Sequence, residues 1–219
     1  MRKRLILLTV ALLLSLAVHE PMMAQSGPAR VELERFSLEL NTLKAGFEQQ
    51  VVSNDGRVES LSNGQVWLRR PALFRWEYGG DFPEVVVADG SHIWLYDEMM
   101  EQVTVKNQSN LSADSPLILL TDLKRMDEQF EVIELGDDNG MFLLELRARS
   151  EEAEFERVIL GLQDGTLHLM AMEDAFGLRT EIRFHDIRRN PVLDEALFRF
   201  DVPAGADVMG DLPDGYDEY

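Results

Sequence analysis

The chain has 219 residues, no cysteine, and 40 acidic against 21 basic residues, which gives a formal net charge of −19. A surface this acidic repels phosphate backbones and anionic bilayers, so it argues against nucleic-acid binding and against stable attachment to or insertion into a membrane. Without cysteine the chain has no disulfide and no thiol for a lipid anchor, so packing alone must hold its core together.

The first 24 residues have the layout of a secretory signal peptide. Arg2, Lys3 and Arg4 precede an apolar run over residues 5–18, and the small Ala24 follows at a position suited to cleavage. The apolar run is shorter than the ~20 residues of a membrane-spanning helix, which disfavours the alternative of a retained anchor. We predict a cleaved signal peptide at residues 1–24, one domain at residues 25–208, and an acidic, flexible tail at residues 209–219.

The mature part begins with an amphipathic pattern and then changes to period two. Residues 31–47 predict a helix, because apolar side chains recur at spacings of three and four: Leu33, Phe36, Leu40, Leu43 and Phe47. Further along the chain, the alternation of apolar and polar residues predicts about ten strands, several of them joined by Asp-Gly or Asn-Gly turns. They are predicted at residues 66–68, 74–78, 85–88, 92–96, 102–105, 131–135, 141–147, 156–162, 166–172, 178–187 and 198–202. This pattern indicates a mainly β fold, an unclosed antiparallel β-barrel.

One helical stretch interrupts the strands. Ser115 and Pro116 suit the start of a helix, and residues 116–130 predict one or two short helices. Four apolar residues stand in a row there, more than one face of a surface helix needs: Leu117, Ile118, Leu119 and Leu120. We expect them, with Leu40 and Leu43 of the first helix, to form a lid over an apolar cavity that the sheet does not fill.

The sequence offers no pattern typical of catalysis. His92, His168 and His185 lie in predicted strands without metal-ligand spacing, and the chain has neither a cysteine nucleophile nor a G-x-S-x-G turn. We therefore expect no enzyme activity, no metal and no cofactor. A secreted hydrolase with an unrecognised site stays open as a minor alternative. So does an exported binding module, for a protein or signal ligand, whose sheet is filled by its own core.

Arg70 follows an apolar strand directly. Since alternate residues of a strand share a face, Val66, Leu68 and Arg70 point the same way. An arginine at the rim of an apolar hollow needs acceptors for its donors, and the last carbonyl groups of a covering helix would supply them. The alternative is a side chain whose stem lies on the neighbouring aromatic rings and whose head stays in solvent.

Aromatic residues alternate along the next strands. Phe74, Trp76 and Tyr78 share one face of a strand, and Trp94 and Tyr96 belong to a later predicted hairpin. Such stripes are usually sheet core, but the lining of a lipid cavity would use the same residues. The sequence alone does not separate the two interpretations.

The combined motifs resemble the outer-membrane lipoprotein carrier (LolA) family. The segment GQVWLRRPALFRW (residues 64–76) is followed by DGSHIWLY (residues 89–96) and EQVTV (residues 101–105). The first-helix ending LKAGFEQQV, the SPLILL segment and the closing FRFDVPAGADV also match the family in order, so the resemblance covers residues 31–208.

The resemblance implies a half-barrel with a helical lid over an apolar cavity, in a monomeric carrier of the periplasm. It implies binding of the acyl chains of lipid-modified proteins, with an inner-membrane ABC exporter and an outer-membrane receptor as partners. It further implies that Arg70 fastens the lid and that Phe74 takes part in substrate release. The lipid-binding residues expected on this basis are Val66, Leu68, Phe74, Trp76, Tyr78, Trp94 and Tyr96.

Overall fold

The computed structural model describes residues 27–108, 123–150, 153 and 155–212. These contain two α-helices, α1 (Pro28–Glu39) and α2 (Leu123–Gln129), a 3-10 helix (Glu195–Phe198) and twelve strands. The strands are β1 (Thr42–Val52), β2 (Val58–Arg69), β3 (Leu73–Tyr78), β4 (Glu84–Ala88), β5 (His92–Asp97), β6 (Gln102–Asn107), β7 (Phe130–Asp138), β8 (Met141–Ala148), β9 (Arg157–Gln163), β10 (Thr166–Glu173), β11 (Arg179–Arg189) and β12 (Asp207–Gly210).

All the described strands join one sheet, in the order β12-β6-β5-β4-β3-β2-β1-β11-β10-β9-β8-β7. Neighbours are antiparallel except β12, which runs parallel to β6. Within the described ranges, β12 and β7 each pair on one side only, so the sheet stays open. The predicted unclosed antiparallel architecture is confirmed.

The predicted hairpins are confirmed, and glycine explains where their turns fall. Gly90 lies between β4 and β5 with φ +99°, and Gly165 lies between β9 and β10 with φ +66°. Both values are in the left-handed region, which glycine adopts without the steric cost of a Cβ atom. The Asp-Gly pairs therefore fix the turns, and the flanking strands follow from them.

The predicted helix over residues 31–47 is wrong beyond Glu39. Pro28 stands in the first turn of α1, the backbone becomes extended at Leu40, and β1 begins at Thr42. The apolar residues after Glu39 also satisfy period two, because Leu43, Ala45 and Phe47 are buried on one side of β1. Leu40 and Leu43, expected in the lid, therefore belong to the connector after α1 and to the sheet.

Two apolar cores form on opposite faces of the sheet. On the inner face, as we call the side that α1 covers, Ala29, Leu33 and Phe36 of α1 pack across β7, β8, β9 and β10. On the outer face, a smaller core lies beneath the chain that follows the 3-10 helix; it contains Val87, Trp94, Val103 and Val105, with Phe200, Val202 and Val208 against it.

The C-terminal part differs from its prediction. Residues 198–202 are not a strand, because Phe198 ends the 3-10 helix and Phe200 and Val202 pack onto the outer face instead of joining a neighbouring strand. The last described strand is β12, which includes Met209 and Gly210 of the predicted tail. Residues 213–219 lie outside the described part of the chain.

The helical stretch predicted at residues 116–130 is described only in part. Its second half contains α2, whose Met126 is buried in the inner-face core. Leu117, Ile118, Leu119 and Leu120 lie outside the described residues, as does the predicted signal peptide. Among the described helices, none combines the length and apolar character that crossing a bilayer requires.

An ion cluster fixes the outer face of β8 and β9. Glu145 is buried, and its carboxylate accepts a hydrogen bond from Arg147 Nε at 2.6 Å and lies 3.1 Å from Arg157 Nε. Burial raises the pKa of Glu145, but the hydrogen bond from Arg147 and the charge of Arg157 outweigh it and hold the pKa below its ordinary value. The cluster therefore stabilises the folded state in its ionised form.

Candidate functional site

Arg70 lies just past β2 at the C-terminal end of α1. Val66 and Leu68, which precede it on the same side of the strand, are buried in the inner-face core. The half-buried guanidinium donates from Nη1 to the carbonyl oxygen of Ser37 at 2.7 Å and to that of Leu40 at 3.4 Å. Of the two arrangements that the sequence left open, the structure has the one in which Arg70 meets the last carbonyl groups of a covering helix.

Arg189, the last residue of β11, and the following Asn190 also contact the C-terminal end of α1. Arg189 Nη2 donates to the carbonyl oxygen of Arg35 at 3.4 Å and lies 3.6 Å from the Glu39 carboxylate. Asn190 donates from Nδ2 to the carbonyl oxygen of Glu39 at 2.8 Å, and its Oδ1 accepts from the amide of Asn41 at 2.8 Å. Carbonyl groups that the helix leaves without partners are thus satisfied by side chains from both sides.

The N-terminal end of α1 is capped from the far edge of the sheet. Gly27 has no side chain to cap the helix, and the two carboxylate oxygens of Glu134 on β7 accept from the amides of Ala29 at 3.1 Å and Arg30 at 2.9 Å. A Cβ atom at position 27 would lie 2.5 Å from Glu134 Cγ, so a glycine here leaves room for the carboxylate. The negative charge also meets the positive end of the helix dipole.

Two further contacts hold the first half of α1. The Arg30 guanidinium donates to both oxygens of Asp127 on α2, at 2.5 and 2.8 Å. Inside the molecule, the buried carboxylate of Glu32 accepts from the Gly165 amide in the β9–β10 turn. These contacts place polar partners around an otherwise apolar helix face.

An aromatic cluster occupies the inner face beside α1. The Phe47 ring lies 4.7 Å from Trp76 and 5.2 Å from Tyr78, and the Phe184 ring lies 6.1 Å from Trp76. Burial raises the pKa of Tyr78 to about 12, and its hydroxyl hydrogen-bonds Gln49 Oε1 at 3.2 Å. The buried Nε1 of Trp76 has no hydrogen-bond partner among the described residues.

Phe74 lies on the inner face, apart from that cluster. It forms a small apolar group with Ala88 of β4 and Ile93 of β5, and Val86 packs against it. Together with the buried Val66 and Leu68, the predicted set of β2 and β3 therefore shares one face of the sheet. The inner face is apolar across at least five strands.

Trp94 and Tyr96, expected among the lipid-binding residues, lie on the opposite face of the sheet. Val86 pairs with Leu95, whereas Val87 pairs with Trp94, and Val86 and Val87 point to opposite sides of β4. Trp94 stacks on Phe200 at 5.5 Å and donates from Nε1 to Asp89 at 2.8 Å, so it stabilises the outer-face core. Register decides the face, and a shift of one residue reverses it.

Several contacts at this site were not predicted from the sequence. Phe184 alternates with Ile182 on a strand that was predicted correctly, so the same period-two argument that selected Trp76 could have included it. Phe47 was assigned to a helix. Glu134 and Arg189 carry no sequence signal, because each is one charge among many until the fold brings it to an end of α1.

A separate cavity of about 470 Å³ lies around a register irregularity of β1 and β11. Its lining includes Lys44, Gly46, Gln65, His185 and Arg188, and it contains none of the predicted lipid-binding residues. Among the residues that the structure describes, no group of three or more histidine or acidic side chains is placed to hold a metal ion.

Comparison with known proteins gives concordant matches. Residues 39–201 match the family model described as "Outer membrane lipoprotein carrier protein LolA". The chain is 39% identical over 191 residues to a protein of Dechloromonas aromatica named outer-membrane lipoprotein carrier protein, covering 87% of this chain and 91% of that protein. It is also 39% identical over 216 residues to a protein of the same name from Xylella fastidiosa strain 9a5c, covering 96% of this chain and 97% of the relative.

Among solved structures, the fold is similar to that of an uncharacterized conserved protein from Thermus thermophilus. The TM-score is 0.54 at 15% sequence identity, and the match covers 84% of this chain and 99% of the other. At that identity the likeness concerns the fold alone.

Proposed function

The chain belongs to the LolA family of outer-membrane lipoprotein carriers, and on this premise we propose that it binds the acyl chains of lipid-modified proteins and carries them through the periplasm. The observation that carries the proposal is the match over nearly the whole length of relatives that bear this name. The comparisons lend no support to the alternative of a binding module for a protein or signal ligand.

The inner face supports the proposal by its chemistry. It is apolar, and α1 covers part of it with Ala29, Leu33 and Phe36, which are at most 2% exposed. Acyl chains are worth about 0.8 kcal/mol per buried methylene, so they do not cross water unprotected. Because α1 fills this part of the face in the structure, an acyl chain can reach the residues beneath α1 only if α1 moves.

We assign acyl-chain contact to inner-face residues and a fastening role to Arg70. Val66, Leu68, Phe74, Trp76 and Tyr78 are the proposed lipid contacts, while Trp94 and Tyr96 are left out because they face the opposite core. Arg70 holds α1 closed through the carbonyl groups of Ser37 and Leu40. Rotation of α1 returns the guanidinium to water, which makes the contact reversible.

The partners that the family resemblance implies, an inner-membrane ABC exporter and an outer-membrane receptor, fit the energetics of transfer. Moving an acyl chain from a bilayer to an apolar protein face exchanges one apolar environment for another, with little net change in free energy. Loading therefore needs an external source of work, which an inner-membrane ABC exporter supplies. An outer-membrane receptor that binds the chains more tightly completes the hand-over. The carrier itself needs no catalytic group.

A synthetic triacylated lipopeptide tests the carrier function directly. Native mass spectrometry of the mature protein with this ligand is expected to show a 1:1 complex, and the lipopeptide is expected to displace a fluorescent apolar probe. The same peptide without acyl chains is the control. A chain that binds neither the lipopeptide nor the probe, while its circular dichroism shows a folded sheet, would contradict the proposal.

A further inference from the structure

The two ends of α1 are restrained in different ways. At the C-terminal end only Leu40 and Asn41 separate the helix from β1, so this end cannot travel far from the sheet. Asn190 binds the connector on both of its sides, accepting from the Asn41 amide and donating to the carbonyl group of Glu39. At the N-terminal end the restraints on the helix come from side chains of distant elements.

The length of the helix makes this difference matter. The 12 residues of α1 span about 18 Å, so a rotation of roughly 30° about the connector moves its N-terminal end by about 9 Å. The same rotation moves the Ser37 carbonyl group, one turn from the connector, by only about 2 Å. Contacts at the N-terminal end therefore separate by several times more than the Arg70 contact with Ser37 when the inner face opens, although both hydrogen bonds are lost.

Among the N-terminal contacts, the one from Glu134 joins α1 to the sheet by its backbone amides. The ion pair of Arg30 and Asp127 links α1 to α2 and not to a strand. Glu32 belongs to α1 itself and reaches the β9–β10 turn. Glu134 is instead fixed on β7, and its carboxylate supplies the cap that Gly27 lacks.

We propose that Glu134 fastens the end of α1 that opens, and that α1 turns about its C-terminal connector, near Arg70 and Asn190. The inference rests on the proposed carrier function and names the residue that gates access to the acyl-chain face. Arg70 then stabilises the closed position close to the hinge, and Glu134 stabilises it at the end of α1 that is far from the hinge.

Amide hydrogen exchange tests the gate without any lipid. The Gly165 amide donates to Glu32, so it reports whether the first half of α1 lies on the sheet. Glu134→Ala is expected to speed exchange at Gly165 at least tenfold, and Glu134→Gln less, since the amide oxygen still accepts one hydrogen bond. Glu131→Ala, on the same strand, is the matched control. Unchanged exchange at Gly165 in a folded Glu134→Ala protein would overturn the proposal.

A covalent lock tests the same gate during loading. The chain has no native cysteine, and position 27 points at Glu134 closely enough for a disulfide in the double variant Gly27→Cys/Glu134→Cys. The oxidised protein is expected to take up the triacylated lipopeptide at least tenfold more slowly than the same protein after reduction. A bis-maleimide bridge at the other end, in Glu39→Cys/Arg189→Cys, is expected to slow uptake less than threefold.

The proposal would be overturned if the bridge between positions 39 and 189 slowed uptake more than the disulfide between positions 27 and 134. Equal uptake by the oxidised and reduced forms of the disulfide variant would also overturn it. Failure of the unmodified protein to bind the lipopeptide at all would instead count against the carrier function. In that case the exchange experiment still tests by itself whether Glu134 holds the first half of α1 on the sheet.

Discussion

Replacing Arg70 with leucine is expected to make the protein hold its cargo too tightly. The guanidinium donates to the carbonyl groups of Ser37 and Leu40 only while α1 lies on the sheet. A hydrogen bond from a charged donor is worth about 1.5–3 kcal/mol, and the half-buried position of Arg70 favours the lower end. Loss of about 1.5 kcal/mol from the closed, empty state raises the affinity for an acyl ligand roughly tenfold.

Equilibrium binding of the triacylated lipopeptide measures this shift, and transfer of the bound peptide to acceptor vesicles measures its consequence. Arg70→Leu is expected to load, to bind the lipopeptide about tenfold more tightly at equilibrium, and so to transfer less of it to the vesicles. Arg69→Leu is the matched control, because Arg69 sits at the adjacent position, contacts the Leu193 carbonyl group and lies 5.1 Å from the Phe198 ring on the outer side.

If Arg70→Leu and Arg69→Leu bind and release the lipopeptide equally, Arg70 does not favour the closed state, and its contacts with α1 are structural only. The same conclusion would follow if Arg70→Leu changed lipopeptide binding by less than the expected tenfold while both variants lost equal thermal stability.

Three further predictions concern the two faces of the sheet. Leu33→Ala on the buried side of α1 is expected to lower the free energy of unfolding by about 2–5 kcal/mol in denaturant titrations, whereas Leu38→Ala on the exposed side changes it by less than about 0.5 kcal/mol. Trp94→Phe removes the hydrogen bond to Asp89 and is expected to raise the pKa of that carboxyl group, measured by NMR, without changing lipopeptide affinity; a weaker affinity would place Trp94 in the site after all. Glu145→Gln removes a carboxylate whose pKa in the folded state lies below its ordinary value of 4.5. The variant is therefore expected to lose stability in full above about pH 4.5, and the loss is expected to vanish as the pH falls through the lowered pKa. A loss of stability that persists in acid would contradict the ionic account.

The hairpins were predictable because their turns carry local chemistry. An Asp-Gly pair fixes a chain reversal by itself, and the strands on either side then follow from alternation. The first helix was predicted too long, because Leu40, Leu43 and Phe47 fit helical spacing, while the pairing of Leu43 with Leu68 is a contact between distant parts of the chain. Tertiary pairing overrides a local pattern that is compatible with both structures.

The faces of the strands were harder to predict than the strands themselves. Trp76 and Trp94 both stand in alternating strands, yet the first lies beside Phe47 and the second on Phe200. Which side a residue takes depends on the register across every intervening turn. Arg70 could be predicted because it continues the strand of Val66 and Leu68 directly, with no turn between them.

The packing of α1 bears on why a carrier of this kind can release what it binds. An acyl chain of sixteen carbons has a transfer free energy of about 13 kcal/mol from water, which by itself would make binding almost irreversible. Leu33 and Phe36 occupy the same apolar face in the closed state, and burying each of them is worth about 1.5–3 kcal/mol. On the proposed mechanism cargo displaces them, so α1 would act as an internal competitor that weakens binding by the free energy of its own docking. Removing apolar atoms from α1 should therefore destabilise the empty protein and tighten its hold on the lipopeptide together, and Leu33→Ala is expected to do both.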